Sequence, residues 1–522
     1  MPVHHWARNF RVHEDDIEHL TGFLLEKEQP LSTEALTHII LEARLEQEAA
    51  QIQERFKDAH FYNPAQAYEI GNRIVFPVLE YATGVVVDER VGLNPDYEPF
   101  TVINVEFEDK DKKIRAFASN LSAPHALSRS EDEDFIQELT ADSLTVEDIM
   151  AESGDKITAA VEEALTKSTM LVKVTGKWFP KDLLTEVDVG HLHLAEAVLD
   201  INGGGPMNTA SIIAEIGGLG AGSSELQEFS MNYVLKDDAR FDEVGPTGQV
   251  LWFLSRLQPK EVQQLPAPLD YTPVEYDRAL LDREMLALER EINDELSPVD
   301  PPVTGEQASV TLIYPHRRIG TLPLTASMRA IFPTARQTPH IYVNVVDGQD
   351  GEEYPCWVVR ENRYIFGLSP FYRKHQLPVG TFLTATAGDE PGKIVVDFNA
   401  YRPRTEWIRL ITPQETRIGF EEAKRSIGAD YDDLVILGAD DLDAVDALFD
   451  LTQKRRKPLA TIITEVISAL VGLSPQGTVH AKTIYSAVNV VRRYPPGPIL
   501  ATLIANLDFQ NVGGHYWKLS NG

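Results

Sequence analysis

The chain has 522 residues, and its 80 Asp and Glu outnumber its 48 Lys and Arg, so that its formal net charge at pH 7 is −32. This length is too great for a single hydrophobic core, and several domains are expected. The single cysteine, Cys356, excludes an internal disulfide and zinc sites made of several cysteines. The negative charge argues against unspecific wrapping of nucleic acid by the whole molecule.

The charge is distributed unevenly along the chain. Residues 452–522 hold eight Lys and Arg against two Asp and Glu, and residues 306–412 hold twelve against ten. Modules of different charge favour different partners for different parts of the chain. No apolar run approaches the roughly 20 residues of a membrane span, and the first residues lack the apolar core of an export signal. We therefore expect a cytoplasmic protein without membrane contact, with nucleoid association as a further option.

The N-terminal part combines a helical segment with a small β domain. Residues 13–60 carry a helical pattern, in which Ser32 begins a helix as a hydroxyl cap. Residues 61–125 contain short β-rich runs separated by turn residues. These runs, IGNRIVFP, TGVVVDERVG, INVEFED and KIRAFAS, resemble an SH3-like barrel of the KOW or Tudor type. The resemblance implies a barrel common in transcription and chromatin factors but no particular ligand, because this fold hosts unrelated functions.

Residues 126–170 form an acidic stretch with Glu131-Asp-Glu-Asp near its start. One interpretation is a solvated linker that ends in a surface helix. The other is an acidic arm that mimics DNA. The sequence leaves both interpretations open.

Residues 171–258 predict a winged helix-turn-helix. After the strand pair KVTGKWFP come an amphipathic helix (HLHLAEAVLDI), a short helix capped near Thr209 and a third helix (ELQEFSMNYVLK). Two strand-like runs around Gly245-Pro246 close the unit as a wing. Residues 259–304 follow as a helical spacer between proline-rich breaks.

Residues 305–412 are all-β in pattern. The runs GTLPLTASMRAIFPTAR and IYVNVVDGQDGEEYPCWVVRENRYIFGL resemble the B3-type DNA-binding pseudobarrel. This chain departs from that family at Thr381, which follows Gly380 where the family has Asp. The resemblance implies major-groove contact by two arms between strands, and the alternative is a β-barrel that only packs. Residues 413–451 predict an acidic strand and helix docked on this domain.

Residues 452–522 predict a second, basic winged helix-turn-helix. Ile462, Ile463 and Val466 recur at helical spacing, a second helix spans TIYSAVNVV, and Pro496 opens a third. Gly513-Gly514 permits the tight turn of a closing hairpin. The fold class predicted for the chain is therefore α+β multidomain, with winged-helix modules combined with small β-barrels and helical linkers.

Both predicted winged helices share further features. In each, a helix, a small-residue break and a short second helix are followed by an ending such as FDEVGPTGQVLWFL or DFQNVGGHYWKL. This arrangement is similar to the HARE-type helix-turn-helix, a family found in restriction-associated proteins, chromatin regulators and the acidic delta subunit of bacterial RNA polymerase. The N-terminal helices resemble a truncated relative. The resemblance implies a DNA- or transcription-associated protein.

The sequence offers little for catalysis. It has no P-loop, paired CxxC, HExxH or GxSxG motif, so we expect no enzyme, no cofactor and no metal site. His191 and His193 could ligate a metal, but capping of a helix start is the preferred interpretation. The glycine-rich run at Gly217 follows a helix and lacks a lysine, which favours a flexible connection over a phosphate loop.

Candidate DNA contacts are the cations of the two near-neutral or basic parts, with ordinary surface charge as the alternative interpretation. In the C-terminal winged helix they suit phosphate contact better than base reading, since its third helix offers only Asn506. The candidates there are Lys454, Arg455, Arg456, Lys457, Lys482, Arg492, Arg493, Asn506 and Lys518. In the B3-like part they are Arg317, Arg318, Arg329, Arg336, Arg363, Arg373 and Lys374.

Two functions follow from these features. The first is a non-enzymatic multidomain protein that contacts double-stranded DNA through its basic C-terminal winged helix, while its acidic modules bind protein, such as RNA polymerase or another DNA-associated complex. The second is a protein-interaction scaffold, or a regulatory subunit of a restriction or defence system, with no direct DNA contact. The sequence does not indicate an oligomeric state.

Overall fold

A computed structural model gives the fold of most of the chain. It describes residues 10–56, 60–79, 81–94, 96–108, 113–125, 127, 145–220, 222–298, 305–335, 338–390 and 392–520. The chain divides into two compact units. Unit 1 comprises residues 1–185 together with 221–229, and unit 2 comprises residues 186–220 together with 230–522. Helices combine with six separate sheets in the described part, which confirms the α+β multidomain class. No helix of that part is long and apolar enough to cross a membrane.

Unit 1 begins with half of a small helical module. Its elements are α1 (Glu14–Lys27), β1 (Leu31–Ser32) and α2 (Thr33–Phe56). The Ser32 hydroxyl accepts the Ala35 amide (3.2 Å), as expected of a cap that satisfies a free helix N–H. The long helix α2 ends where a separate β domain begins.

That β domain is a five-stranded sheet in the order β2-β3-β4-β5-β6. Its strands are β2 (His60–Phe61), β3 (Arg73–Phe76), β4 (Ala82–Val91), β5 (Thr101–Phe107) and β6 (Ile114–Ser119). The Tyr62 hydroxyl donates to the Ala118 carbonyl (2.8 Å) and the Leu121 amide to the Pro64 carbonyl (2.9 Å), so the two ends of the sheet are tied together. The sheet is barrel-like, and its relationship to SH3-like families stays a prediction.

The second half of the N-terminal module follows the barrel. It consists of α3 (Val146–Lys167), β7 (Leu171–Val174) and β8 (Lys177–Pro180). Strand β8 pairs with both β7 and β1, and α3 packs against α2. We name this split unit the first module. It has the element order helix, strand, helix, helix, hairpin.

This pairing corrects two boundaries predicted from the sequence. The hairpin at 171–180, which the pattern places in the winged helix of 171–258, completes instead the helices of 13–60. Helix α3, which the pattern assigns to a linker, is the third helix of the same module. The N-terminal helices thus have a third helix and a hairpin, and their relationship to the HARE-type family stays a prediction. The sequence pattern does not show that the two halves form one module, because they are far apart along the chain. The hydrogen-bonded residues Thr33 and Trp178, for example, are 145 positions apart. The acidic segment 128–144 lies outside the described residues.

The second module has the same element order without an insertion. It consists of α4 (Val189–Ile201), β9 (Met207–Asn208), α5 (Thr209–Ile216), α6 (Ser224–Lys236), β10 (Phe241–Glu243) and β11 (Leu251–Leu254). Asp188 caps α4 by accepting the His191 amide (2.9 Å), while the His191 ring accepts the Asp188 amide (3.2 Å). This reciprocal cap is the role that we prefer for His191 over metal ligation.

Residues 259–298, the described part of the segment 259–304, pack against the rest of unit 2. Its helices are α7 (Lys260–Gln263) and α8 (Arg283–Ile292). One face of α8 is buried through Met285, Leu288 and Ile292. The described part of the segment is thus a packing element.

A seven-stranded sheet fills residues 307–398, in the order β12-β17-β18-β14-β15-β16-β13. Its strands are β12 (Gln307–Thr311), β13 (Thr321–Pro323), β14 (His340–Asp347), β15 (Glu353–Val359), β16 (Tyr364–Phe366), β17 (Phe382–Ala387) and β18 (Lys393–Phe398). Three short helices interrupt it, α9 (Tyr314–Ile319), α10 (Met328–Ile331) and α11 (Ser369–Lys374). All pairs are antiparallel except β14 with β18. A B3-type relationship stays a prediction.

The boundary predicted at 412 falls inside a different sheet. Strand β19 (Ala400–Ile411) pairs with β20 (Phe420–Ala429) and β21 (Leu437–Ala439), and α12 (Leu442–Arg455) follows. The strand pattern continues across Asn399, so the sequence alone does not show that the chain changes sheet there. The seven-stranded domain therefore ends before 400.

The third module occupies the C-terminal part. It consists of α13 (Leu459–Leu470), β22 (Val479–His480), α14 (Ala481–Val491), α15 (Pro496–Ala505), β23 (Phe509–Gly513) and β24 (Tyr516–Leu519). Its core is continuous with that of α8 and α12, through side chains such as Leu288 and Val445. Residues 452–522 are therefore not an independent domain.

A tryptophan occupies the same position in all three modules. Trp178, Trp252 and Trp517 each pair with the first residue of the short strand that precedes the second helix. The Trp178 indole Nε1 donates to the Thr33 hydroxyl (3.0 Å), and the Trp252 Nε1 donates to the corresponding Thr209 (3.2 Å). The third module has Ala481 at this position, and among the described residues the Trp517 Nε1 has no partner.

Candidate functional site

The predicted contact Arg493 is buried inside unit 2. Its side chain is 0% exposed, and its Nη2 donates to Asp294 (2.7 Å) and Glu295 (2.7 Å). Its Nη1 donates to Asn489 Oδ1 and to the Tyr494 carbonyl (both 2.9 Å). A guanidinium enclosed in this way cannot reach a phosphate backbone. The prediction that Arg493 contacts DNA is wrong.

The buried carboxylates around Arg493 are held in different ways. Burial raises the pKa of Asp294, whose Oδ2 also accepts from the Tyr485 hydroxyl. Burial alone would raise the pKa of Glu295 too, but the charges of Arg493 and His316 outweigh burial and lower the pKa. Removing one member of such a cluster leaves an uncompensated buried charge, so the cluster fixes α8 and the third module together.

Two further predicted contacts are neutralised by carboxylates. Lys482 is 8% exposed and forms ion pairs with Asp432 (2.8 Å) and with Glu291. Lys457 forms an ion pair with Glu465 (2.7 Å) and is also mostly buried. Neither side chain offers a free cation, which argues against a role as a DNA contact, and the prediction for both stays untested.

The predicted contact Arg492 is only partly accessible. Its Nη1 donates to the Lys457 carbonyl (3.1 Å), and its guanidinium lies 5.5 Å from the centre of the Tyr494 ring. These contacts hold the side chain against the surface of the third module. Arg492 therefore contributes to the packing of the third module, and only part of its side chain is accessible to a phosphate.

The helix that would have to enter a DNA groove is covered by the chain itself. In a DNA-binding winged helix the third helix reads the major groove. In the third module this helix is α15, which is buried from Pro496 to Ala501 and packs against α8. The fit is tight, since a Cβ on Gly497 would lie 2.5 Å from the Tyr276 hydroxyl. The predicted base reader Asn506 instead accepts the Asp508 amide (3.0 Å) in the following turn.

A few of the predicted C-terminal cations are on the surface. Lys454 and Arg455 end α12, Arg456 follows it with a φ of 46°, and all three are exposed. Lys518 is partly exposed on β24. Over the described ranges none of these four forms an ion pair. Cations at a helix C-terminus also stabilise the helix dipole, which accounts for Lys454 and Arg455 without a ligand.

Two cations of the seven-stranded domain are also bound internally. Lys374 lies within 2.5 Å of Asp350 and 2.6 Å of Glu352. Arg363 donates to the Glu295 carbonyl (2.9 Å). The carboxylates neutralise Lys374, whereas Arg363 keeps further N–H donors and is partly exposed, so its predicted phosphate contact stays a prediction.

The remaining candidates of this domain fall into two groups. Arg329 is partly exposed and, in the described part, has no side-chain partner. Arg336 lies outside the described residues. Arg317, Arg318 and Arg373, by contrast, line one cleft.

We name this feature the arginine cleft and define it by Arg317, Arg318, Arg373 and Arg425. Its volume is about 560 Å³, and its lining comes from α9, α11, β19, β20, β21 and the start of α12. These elements are far apart in sequence and meet where the seven-stranded sheet adjoins the β19–β20–β21 sheet. The cleft is the structure's strongest candidate for a binding site, because it concentrates cations within a strongly acidic chain.

Two arginines of the cleft have carboxylate partners. Arg318 contacts Asp446 (2.5 Å), and Arg425 contacts Asp440 (2.6 Å). These pairs are 30 to 66% exposed, so they contribute little to stability. They hold the two guanidinium groups in place at the edge of the cleft.

The other two arginines have no carboxylate partner in the part of the chain that the structure describes. Arg317 Nε donates to the Leu377 carbonyl (2.7 Å), and its guanidinium lies 5.7 Å from the centre of the Tyr372 ring. Burial lowers the pKa of Arg317, and the nearby charge of Arg373 adds to this effect. Arg373 is exposed. The cleft thus has two guanidinium groups whose charges are not neutralised.

Sequence reasoning missed Arg425 and the carboxylates that face the cations. Arg425 lies two positions before the buried Ile427 on β20 and therefore on the same face, so the strand pattern alone could have placed it on the inner face. No sequence signal marks Asp294 and Glu295 as partners of Arg493, because they resemble ordinary linker charges.

Comparison of the chain with protein-family models, with curated proteins and with solved structures finds no match in any of the three. The fold thus defines an α+β multidomain protein. The HARE-type, SH3-like and B3-type resemblances stay predictions.

Proposed function

We propose that this chain is a non-enzymatic interaction scaffold of the DNA- or transcription-associated kind, in which the third module supports the fold instead of contacting DNA. The observation that carries the proposal is the burial of α15 and Arg493 within unit 2. A helix that already forms part of a core cannot also lie in a major groove. The proposal takes the scaffold without direct DNA contact from the second of the two functions that the sequence left open, and the DNA-associated protein partner from the first.

The acidic modules are the surfaces on which we expect a protein partner. The third helix of the first module, α3, exposes Glu147, Glu152 and Asp155, and that of the second module exposes Glu225, with the exposed Asp237 directly after it. Such surfaces repel phosphate and attract a cationic protein surface. The proposed partner is therefore a basic protein of a DNA-associated complex, with RNA polymerase as one candidate.

A partner capture tests this proposal directly. The immobilised full-length chain is incubated with extract of the cells that produce it, with and without nuclease, and retained proteins are eluted in salt steps. We expect a protein retained equally in both conditions and released at moderate ionic strength, since exposed charges are screened by salt. Retention that disappears with nuclease would contradict the scaffold, because it would show bridging by nucleic acid.

One observation keeps direct DNA contact as a second candidate function. Lys454, Arg455 and Arg456 form an exposed cationic turn without carboxylate partners in the described part. If this turn binds a DNA backbone, the affinity should fall steeply between 50 and 200 mM salt, by counterion release. A gel shift of the full-length chain on a short duplex measures this dependence.

The gel shift has a matched control. The triple variant Lys454→Ala, Arg455→Ala, Arg456→Ala removes the cationic turn. The control, Lys156→Ala, Lys177→Ala, Lys181→Ala, removes three other exposed lysines and the same charge. The scaffold predicts no salt-dependent shift by any of these proteins. A shift lost only in the first variant would establish the second function instead.

A further inference from the structure

The arginine cleft has a surplus of positive charge that the fold does not use. Arg318 and Arg425 each have one carboxylate partner, whereas Arg317 and Arg373 have none among the described residues. Two uncompensated guanidinium groups that line one cleft repel each other. An anion between them would remove this repulsion and gain charge-assisted hydrogen bonds.

The key arginine is oriented before any ligand binds. The bond from Arg317 Nε to the Leu377 carbonyl and the contact with the Tyr372 ring fix the plane of its guanidinium. In this arrangement the Nη groups remain for another acceptor. A planar guanidinium can bind two phosphate oxygens in a forked geometry, which an ammonium group cannot do.

The remaining lining of the cleft combines apolar residues with polar ones such as Ser369, Gln376 and Ser426. Val379, Ile408, Ile427 and Leu437 line it beside the arginines. A volume of about 560 Å³ is within the range of small-molecule sites. A nucleic-acid backbone would instead require an extended cationic surface, and the carboxylates of Asp440 and Asp446 lie at the edges of this cleft.

We propose that the arginine cleft binds a small phosphorylated organic molecule of about nucleotide size. Arg317 and Arg373 bind the phosphate, Arg318 and Arg425 widen the cationic surface around it, and the aliphatic side chains contact the organic part. The inference does not rest on the proposed scaffold function, since the cleft and the acidic modules are different surfaces.

A simpler account explains only part of the cluster. Arg317, Arg318 and Arg373 lie in the last turns of the short helices α9 and α11, where cations stabilise the helix dipole. That account does not explain why Arg425, from the middle of a strand, lines the same space. It also does not explain the open volume between them.

Binding to the full-length chain tests the proposal. The probes are ATP, inorganic pyrophosphate, adenosine and a short DNA duplex, each measured by isothermal titration calorimetry. We expect ATP to bind, pyrophosphate to bind more weakly because it lacks the apolar contacts, and adenosine to bind more weakly still. The loss of a hydrogen bond to a charged group should weaken ATP binding in Arg373→Ala by about tenfold or more.

The exposed Arg402 provides a matched control, since it lies on β19 but does not line the cleft. Arg402→Ala should bind ATP as the unmodified chain does. Arg373 is exposed, so its removal should leave the melting temperature unchanged, which separates loss of binding from loss of fold. Absence of ATP and pyrophosphate binding, equal binding by the two variants, or binding of the duplex alone would each overturn the proposal.

Discussion

The buried cluster around Arg493 predicts a large and specific destabilisation. The substitution Arg493→Met keeps much of the apolar volume but leaves the Asp294 and Glu295 carboxyls without their cation. Breaking a buried pair from one side costs about 3–5 kcal/mol. The full cost applies here, because the Arg493 and Asp294 side chains are both 0% exposed. Arg492→Met, next to it and only partly buried, is expected to cost below about 1 kcal/mol.

The effect of pH distinguishes this explanation from a loss of packing. In the variant Asp294 loses its arginine, so burial should raise its pKa further above its unfolded value of about 4, while Glu295 keeps only His316 as a cationic partner. The folded variant then binds more protons than the unfolded chain, and its stability should increase as the pH falls from about 7 to about 5. In the unmodified chain the lowered pKa of Glu295 has the opposite effect: its contribution is present above the unfolded pKa and is lost as the pH falls.

The measurement must separate the two units of this multidomain chain, for which a single unfolding transition is not expected. Hydrogen exchange of peptides covering α8 and α14, as a function of urea and at two pH values, reports on the core that contains Arg493. The reasoning would be refuted if Arg493→Met cost no more than Arg492→Met. It would equally be refuted if acidification failed to reduce the difference.

Three further predictions concern the modules and the seven-stranded sheet. Trp178→Phe should cost about 0.5–1.5 kcal/mol more than Trp517→Phe, because only Trp178 loses a hydrogen bond; urea-dependent hydrogen exchange of each module measures the difference. Burial lowers the pKa of His480 to about 4, so stability should fall as the pH decreases from about 6.5 towards 4, and His480→Asn should flatten the pH dependence of the melting temperature. Gly367→Ala should destabilise by about 1–3 kcal/mol more than Gly351→Ala in a thermal melt, because only its Cβ would lie within 2.5 Å of a backbone oxygen although both glycines have positive φ.

The sequence was sufficient to predict those helices and strands that are determined by residues close together along the chain. The second and third modules and the strands of residues 307–398 lie where their periodicities place them, because local spacing determines which face of a helix or strand is buried. The cap at Ser32 and the helix-start role of His191 are local in the same sense. The repeated KWFP, LWFL and YWKL runs of the three wings are also visible in the sequence, but their equivalence becomes clear only from the pairing.

The sequence was insufficient to predict contacts between side chains that are far apart along the chain. Arg493 and Asp294 are 199 positions apart, and Lys482 and Glu291 are 191 apart. The cluster of cations in residues 452–522 therefore looked like a free basic patch, although part of it is neutralised by the acidic segment before the seven-stranded sheet. The arginine cleft is hidden for the same reason, since its four cations come from three separate elements.

The interruption of the first module by a barrel has a consequence for biosynthesis. Because β7 and β8 are translated long after β1, the nascent N-terminal helices wait for their final hairpin while the intervening barrel already has its own strands. The entropic cost of closing a loop rises only slowly with its length. Each doubling of the length adds about 0.6 kcal/mol. The delay is thus a matter of time on the ribosome more than of free energy, and until β8 is made the strand β1 lacks its native pairing partner.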